Sequence, residues 1–212
     1  MSPTTKTKFD AKKKTIRSSQ SATKRVQIIR GEYWEKVKNI DPDNLVFLDK
    51  MGVLLGLKLT HARSTCGSRV SDLKPFYRGA KVTVVGAISL KKVVGLMTLN
   101  GSMDARAFEV FIEHFLVPNL WEGAVVVMDN LPAHKLGTIE PLIQAAGASL
   151  LNLSPYSPDF NPIELWRSQL KSFLRQFSAS TTNMVDILLA TALDLVNPKH
   201  FKNWFTSCCY CT

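Results

Sequence analysis

The chain has 212 residues, of which 45% are hydrophobic and 21% charged, a composition typical of a globular domain with extensions and not of a disordered protein. No apolar run approaches the ~20 residues that a membrane helix needs, and the N-terminal region lacks the apolar stretch of a signal peptide. The net charge of +10 is unevenly placed: residues 1–30 carry nine Lys or Arg and one Asp (+8), and the remainder carries +2. Such a basic arm suits a polyanion, most often nucleic acid, although a solubilising tail has the same composition.

The hydrophobic pattern divides the chain into a basic arm over residues 1–23, a helical linker over 24–43 and one α/β domain over 44–212. In chain order it first predicts a helix from residue 24, a strand over 45–48 ending in Asp49, mainly loop over 50–80, and a hairpin of 82–89 and 93–99. A helix from the N-cap Asp104 to Pro118 follows, with an apolar stripe of Phe108, Phe111, Ile112 and Phe115. The remaining predicted elements are a strand over 124–128 ending in Asp129, a helix over 136–146, a strand over 149–153, and helices over 162–177, 183–195 and 198–206. This order predicts a mixed α/β sheet flanked by helices, a fold class in which sites form at the carboxyl ends of strands.

The cysteines Cys66, Cys208, Cys209 and Cys211 lack the spacing of a paired metal site. We expect free thiols, with metal binding by the C-terminal cluster as the alternative. Nothing in this pattern indicates an oxidising compartment.

Two predicted strands end in an acid, Asp49 and Asp129. Either one alone is more simply explained by the chain leaving the core. A third acid, Glu164, follows a segment with prolines at 155, 158 and 162, which make the loop stiff. The local alternative is a capping box, in which Asn161 is the N-cap and Glu164 lies at the third helical position.

Three carboxylates converging at one end of a sheet would form an oxygen-rich site suited to Mg²⁺ or Mn²⁺ rather than zinc. Two such ions ~3.5–4 Å apart can activate a nucleophile and stabilise the leaving oxygen of an in-line phosphoryl displacement. The residues therefore indicate metal-dependent phosphodiester chemistry, provided that the three acids converge.

The segments VVVMDNLPAH (125–134) and SPYSPDFNPIE (154–164) together resemble the mariner-like insertion-sequence transposases of bacteria, whose catalytic triad is Asp-Asp-Glu. The spacing agrees with that branch, since 34 residues separate Asp129 from Glu164 (164 − 129 − 1). The resemblance implies a ribonuclease-H-like, retroviral-integrase-like fold and a triad of Asp49, Asp129 and Glu164 that holds two Mg²⁺ or Mn²⁺ ions. It also implies cleavage at transposon ends, transfer of the freed 3′-hydroxyl to target DNA, a homodimer on DNA, and a cytoplasmic, nucleoid-associated location.

The chain departs from the family pattern in two ways. Lys50 stands where the family usually has Glu, which reverses the local charge. Relatives begin with helix-turn-helix domains that bind the transposon ends. We expect this chain to be either the downstream frame of a split gene, with an upstream helix-turn-helix product as its partner, or a truncated copy. An inactive or domesticated DNA-binding relative is one alternative, and another ribonuclease-H-like nuclease is a second. A phosphatase-type enzyme is a third, but it would need an Asp-x-Asp pattern that this chain lacks.

DNA contacts are expected at six further positions. Asn130 and His134 match the family's Asp-Asn-x-x-x-His pattern, with a turn and a helix cap as the structural alternatives. Tyr156 either contacts DNA or packs the proline loop. Helical spacing from Glu164 aligns a basic stripe that we predict to track the DNA backbone, formed by Arg167, Lys171 and Arg175. The alternative is a solvated helix face on which Arg167 pairs with Glu164 at i+3.

Overall fold

The structure is a computed structural model that describes residues 19–56, 58, 63–71, 73, 79–129, 137 and 139–211. The strands are β1 (Leu45–Leu54), β2 (Lys81–Ser89), β3 (Val93–Asn100), β4 (Val125–Met128) and β5 (Ser149–Asn152). The α-helices of this part of the chain are α1 (Lys24–Val37), α2 (Ala105–Phe111), α3 (Ile139–Ala145), α4 (Pro162–Gln176), α5 (Thr182–Asp194) and α6 (Pro198–Ser207). A π-helical segment, Ile112–Leu116, continues α2.

The strands form one five-stranded sheet in the order β3-β2-β1-β4-β5. The first three strands along the chain are antiparallel neighbours, and β4 and β5 run parallel to β1. The predicted mixed sheet, the hairpin and the closing helices are therefore confirmed, with small shifts at their ends.

Side-chain alternation along β1 supplies two cores, one on each face of the sheet. Leu45 and Phe47 point into a core shared with α1, α4, α5 and α6. Val46 and Leu48 point into a second core shared with α2 and α3. Both faces of the sheet centre are thus covered, which leaves its edges and strand ends for a site.

The prediction that a strand ends at Asp49 and gives way to loop is wrong for residues 50–54, although the described residues between 55 and 80 contain no helix or strand, as predicted. The strand β1 runs on to Leu54, because β2 pairs with it over its whole length, from Val46 opposite Ser89 to Leu54 opposite Lys81. The parallel partner β4 stops at Met128, opposite Leu48. Asp49 therefore lies mid-strand, at the point where β1 loses its parallel neighbour.

The helix that begins after Asp104 differs from the prediction in one detail. Asp104 caps α2 as expected, accepting a hydrogen bond from the Ala107 amide at 2.8 Å. However, Phe115 is 38% exposed and Leu116 is buried in its place. The π-helical segment has more residues per turn than an α-helix, so it rotates the apolar stripe by about one residue.

The first helix, predicted as a linker, packs against the domain core through the buried residues Tyr33 and Val37. No two of the four cysteines, all of which lie in the described ranges, are joined by a disulfide. Within the described ranges, no helix has the length and apolar character that crossing a membrane requires.

Candidate active site

The first two predicted catalytic acids lie side by side at the carboxyl end of the parallel strand pair. Asp49 occupies β1 opposite Gly86 of β2, and its largely buried carboxylate accepts a hydrogen bond from the Lys50 amide at 2.6 Å. Asp129 directly follows Met128, the last residue of β4. Because parallel neighbours bring their carboxyl ends to the same place, the two acids emerge together.

The loop over residues 154–161 brings the third acid to the same place. Its serines are buried, and the hydroxyls of Ser154 and Ser157 lie 2.6 Å apart, hydrogen bonded to each other. A short 3₁₀ turn, Pro158–Phe160, then leads through Asn161 into α4. This places Glu164 in the first turn of that helix, as predicted.

The capping box, which was the local alternative to a catalytic role for Glu164, is not formed. Asn161 stands at the N-cap position, and its backbone carbonyl accepts a hydrogen bond from the Glu164 amide at 3.0 Å. Its side chain makes no capping hydrogen bond, and its Oδ1 is buried without a hydrogen-bond partner among the described residues. The Glu164 carboxylate is paired with Arg167 instead of reaching back to the helix start. The local structural explanation for Glu164 is therefore wrong.

Arg30 of α1 clamps the loop from outside. Its guanidinium donates to both carboxylate oxygens of Asp159, at 2.7 and 3.0 Å, and to the Ser157 hydroxyl at 2.7 Å. The same group lies 4.2 Å from the centre of the Phe160 ring, a cation–π contact. Two different interactions thus hold adjacent loop residues, and both partners of the ion pair are largely buried.

Aromatic residues from both ends of the described chain complete this support. Tyr33 and Trp34 stack on Phe160, and the Tyr210 hydroxyl donates to the Phe160 carbonyl at 2.6 Å. The phenols of Tyr33 and Tyr210 are hydrogen bonded at 2.7 Å, and burial raises the pKa of each well above its ordinary value. Sequence reasoning missed these residues, although Arg30, Tyr33 and Trp34 share one helix face at i, i+3 and i+4.

A glycine fixes the distance between α4 and the sheet. Gly86, opposite Asp49 in the sheet, lies under the indole of Trp166, which is 2% exposed. A Cβ at Gly86 would be 2.5 Å from a ring carbon of Trp166. The helix can therefore lie this close to the strand only because residue 86 has no side chain, and this closeness brings Glu164 toward Asp49.

The three carboxylates line one cavity of about 400 Å³. The rest of its wall is the proline loop, including Tyr156, whose side chain is 48% exposed and whose backbone has a φ of 55°. Asn130 and His134 lie outside the described residues. The structure thus brings together Asp49, Asp129, Glu164 and Tyr156, and the assignment of DNA contacts to individual residues stays a prediction.

Arg167 joins two of the three acids. Its Nη1 forms an ion pair with Asp49 and a second one with Glu164 at 3.0 Å. The i+3 pairing that was the alternative to DNA binding is therefore present, with Asp49 as an additional partner. As placed, no three Asp, Glu, His or Cys side chains of the described part of the chain are close enough to one another to hold a metal ion.

The electrostatics of the cavity follow from this arrangement. Burial raises the pKa of Glu164, Arg167 opposes that shift, and the nearby Asp49 charge adds to it. Burial also lowers the pKa of Lys171, and the positive charge of Arg167 lowers it further. Lys171 and the exposed Arg175 continue along α4 and line, with Gly52 of β1, a second cavity of about 120 Å³.

The comparisons with known proteins agree with this geometry. A family model described as "DDE superfamily endonuclease" matches residues 44–185. The transposase of the transposable element Tcb1 from Caenorhabditis briggsae is 31% identical over 109 residues, which are 50% of this chain and 40% of that protein. The chain thus spans less than half the length of this relative.

Among solved structures, the Mos1 transposase in a paired-end complex with the left transposon end superposes with a TM-score of 0.74 at 13% identity, covering 94% of this chain and 63% of that one. The catalytic domain of Mos1 mariner transposase has a TM-score of 0.62 at 11% identity, with 92% of this chain and 91% of that one covered. The predicted ribonuclease-H-like fold is therefore confirmed.

Proposed function

Because this chain belongs to the DDE superfamily endonuclease family, we propose that it is the catalytic domain of a DNA transposase of the mariner type. The observation that carries the proposal is the cavity onto which Asp49, Asp129 and Glu164 all face. These acids lie in β1, directly after β4 and in α4, and their spacing matches the Asp-Asp-Glu pattern.

The donor set of the cavity fits Mg²⁺ or Mn²⁺. Every candidate ligand is an oxygen, and hard divalent cations prefer carboxylate oxygens. The raised pKa of Glu164 reflects burial and repulsion from Asp49, both of which a bound cation would offset. Two such ions, when bound, would supply activation of the attacking water and stabilisation of the leaving oxygen. The chain's own part is to hold three carboxylates on a stiff frame at the carboxyl ends of the parallel strands β1 and β4.

The DNA would run from the cavity along α4. Lys171 and Arg175 lie on the flank of this helix that begins at Glu164, and Tyr156 projects from the cavity rim. Backbone contacts from Lys and Arg give affinity without sequence preference. From the resemblance we further propose two ions per site and a homodimer that assembles on DNA in the bacterial nucleoid. Mass photometry of the protein with transposon-end DNA would test the dimer by measuring the mass of the complex.

Strand cleavage tests the catalytic proposal directly. We expect Asp49→Asn, Asp129→Asn and Glu164→Gln each to abolish nicking of transposon-end DNA in Mg²⁺ or Mn²⁺, without a large change in melting temperature. Asp194→Asn, which removes an exposed acid at the end of α5, is the matched control and should leave nicking unchanged. Nicking at the parental rate by any triad variant would remove that residue from the proposed set of ligands.

A salt titration tests the DNA path. Lys171→Ala with Arg175→Ala should weaken binding equally on end and scrambled DNA, and should reduce the slope of log affinity against log salt by about 0.7–0.9 per lost contact. Lys199→Ala with Lys202→Ala removes two exposed cations from α6 and should leave the slope unchanged. Equal slopes for both double variants would mean that the DNA takes another path.

A second candidate function is DNA binding without cleavage. It is favoured by two cations beside the first acid: Lys50, adjacent in sequence, and Arg167, paired with its carboxylate. DNA binding with no nicking in either metal, by the parent protein, would establish this alternative.

A further inference from the structure

A positive charge already occupies the space between two of the proposed metal ligands. The Arg167 guanidinium bridges Asp49 and Glu164, and the side chain is only 16% exposed. Its Nε is buried without a hydrogen-bond partner among the described residues, so the two carboxylates are the polar groups that hold it there. Arg167 is also the first residue of the basic stripe. Lys171 is attracted to the same two carboxylates, but among the described residues neither Lys171 nor Arg175 forms an ion pair with them.

Arginine is an unusual neighbour for a metal site because its charge cannot be removed by deprotonation near neutral pH. A divalent ion that binds Asp49 and Glu164 must therefore displace the guanidinium or bind beside it. The first route breaks two ion pairs, and the second places a unit positive charge within a few ångströms of the metal. Either route weakens metal binding in comparison with the same carboxylates alone.

We propose that Arg167 is an internal counter-cation that lowers the affinity of the site for divalent metal and leaves Asp49 and Glu164 when the metal binds. This inference rests on the proposed function, since it takes Asp49, Asp129 and Glu164 as the metal ligands. Arg167 is thus a positioning residue: it keeps two repelling carboxylates together before the metal arrives.

The released guanidinium has a natural new partner. Its planar donor fork matches a phosphate group in two parallel hydrogen bonds, and Arg167 begins the stripe along which we propose that DNA lies. A DNA phosphate that draws Arg167 away would strengthen metal binding, and metal would by linkage strengthen DNA binding equally. The metal would then load preferentially onto the DNA complex.

Mn²⁺ binding, measured by electron paramagnetic resonance or calorimetry without any turnover, tests the proposal. Even at the dielectric constant of water, loss of a unit charge about 4 Å away is worth several-fold in affinity for a monovalent ion and more for a divalent one. We therefore expect Arg167→Gln to bind Mn²⁺ about tenfold more tightly than the parent. Arg175→Gln, which removes the same charge from the same helix without touching a carboxylate, should bind within about twofold of the parent.

A second measurement covers the case in which Arg167→Gln is unstable. In EDTA its melting temperature should lie below that of the parent, and saturating Mn²⁺ should raise it by a larger increment. Arg167→Lys, which keeps the charge but loses the fork, should fall between parent and Arg167→Gln in Mn²⁺ affinity. Equal Mn²⁺ affinity for Arg167→Gln and Arg175→Gln would overturn the inference, as would weaker binding by Arg167→Gln.

The two proposals fail in different ways. If Asp129→Asn and Glu164→Gln leave Mn²⁺ affinity unchanged, the proposed metal site itself is wrong. If they weaken Mn²⁺ binding while Arg167→Gln does not strengthen it, the metal site stands and only the counter-cation is refuted.

Discussion

Adding one methyl group at Gly86 should disturb the active site through α4, the helix that carries Glu164 and packs on this strand through Trp166. The Cβ of Gly86→Ala would lie 2.5 and 2.7 Å from two ring carbons of Trp166. Ordinary carbon–carbon contacts begin near 3.5 Å, so the indole must retreat by about 1 Å. The ring is 2% exposed and packed in the core of α4, α5 and α6, so the retreat has to involve the helix.

The cost can be bounded from this geometry. Overpacking a filled core costs about 1–3 kcal/mol. Replacing a strand glycine by alanine returns about 0.5–1 kcal/mol of backbone entropy. We therefore expect a net loss of about 1–2 kcal/mol for Gly86→Ala, measured as the free energy of unfolding in urea. Glu164 lies two residues from Trp166, and a 1 Å misplacement of a catalytic group can cost about 10²-fold in rate.

Gly52→Ala is the matched control for Gly86→Ala. Gly52 lies in the neighbouring strand β1, and an added Cβ would meet only the end of the Lys81 side chain, at 3.0 Å. That flexible chain can move, so Gly52→Ala should leave stability unchanged or slightly raised. The two substitutions are chemically identical, so a difference between them reports the contact with Trp166.

A double variant isolates that contact further. Trp166→Leu alone should destabilise by several kcal/mol through the cavity that it leaves, about 3–5 kcal/mol for full truncation of a large aromatic residue. In that background Gly86→Ala should cost less than in the parent, with an interaction energy of about 0.5–3 kcal/mol. If Gly86→Ala and Gly52→Ala have the same stability, or if the two costs simply add, then helix α4 is not limited by this approach.

Three further outcomes are expected. Tyr156 has a φ of 55°, so Tyr156→Gly should be more stable than Tyr156→Ala by about 1 kcal/mol in thermal melts, and equal DNA affinity of both with the parent would exclude a DNA contact. Burial raises the pKa of Cys208 to about 12, so iodoacetamide at pH 8 should label the exposed Cys209 and spare Cys208 until the protein unfolds. Arg30→Lys loses the paired contact with Asp159 and should cost about 1–3 kcal/mol in urea, whereas the exposed Arg25→Lys should cost nothing measurable.

The parts of the site that were predictable are those encoded locally. Short apolar runs ending in Asp49 and Asp129 indicate buried strands, and the prolines before Glu164 indicate a stiff entry into a helix. The continuation of β1 to Leu54 was not predictable in this way. Residues 49, 50 and 52 are Asp, Lys and Gly, which strands disfavour, and only pairing with β2 keeps them extended.

The features of the site that could not be predicted depend on contacts between segments far apart in the sequence. Gly86 and Trp166 are 80 residues apart (166 − 86), and neither residue alone indicates that the other covers it. Helical spacing likewise treats Arg167 and Arg175 as equivalent members of one stripe. The two arginines differ because Arg167 pairs with Asp49 of strand β1, whereas Arg175 is exposed.

The first two turns of α4 therefore couple three properties of the site. Within four consecutive residues they carry a proposed metal ligand, Glu164, the side chain that seats the helix on the sheet, Trp166, and the cation that pairs with Asp49, Arg167. A rigid shift of α4 must change all three at once, because a helix moves as a unit. DNA bound along Lys171 and Arg175 would act on the same helix one and two turns further on. Metal binding and DNA binding at this site consequently share a single structural element, and neither affinity should be independent of the other.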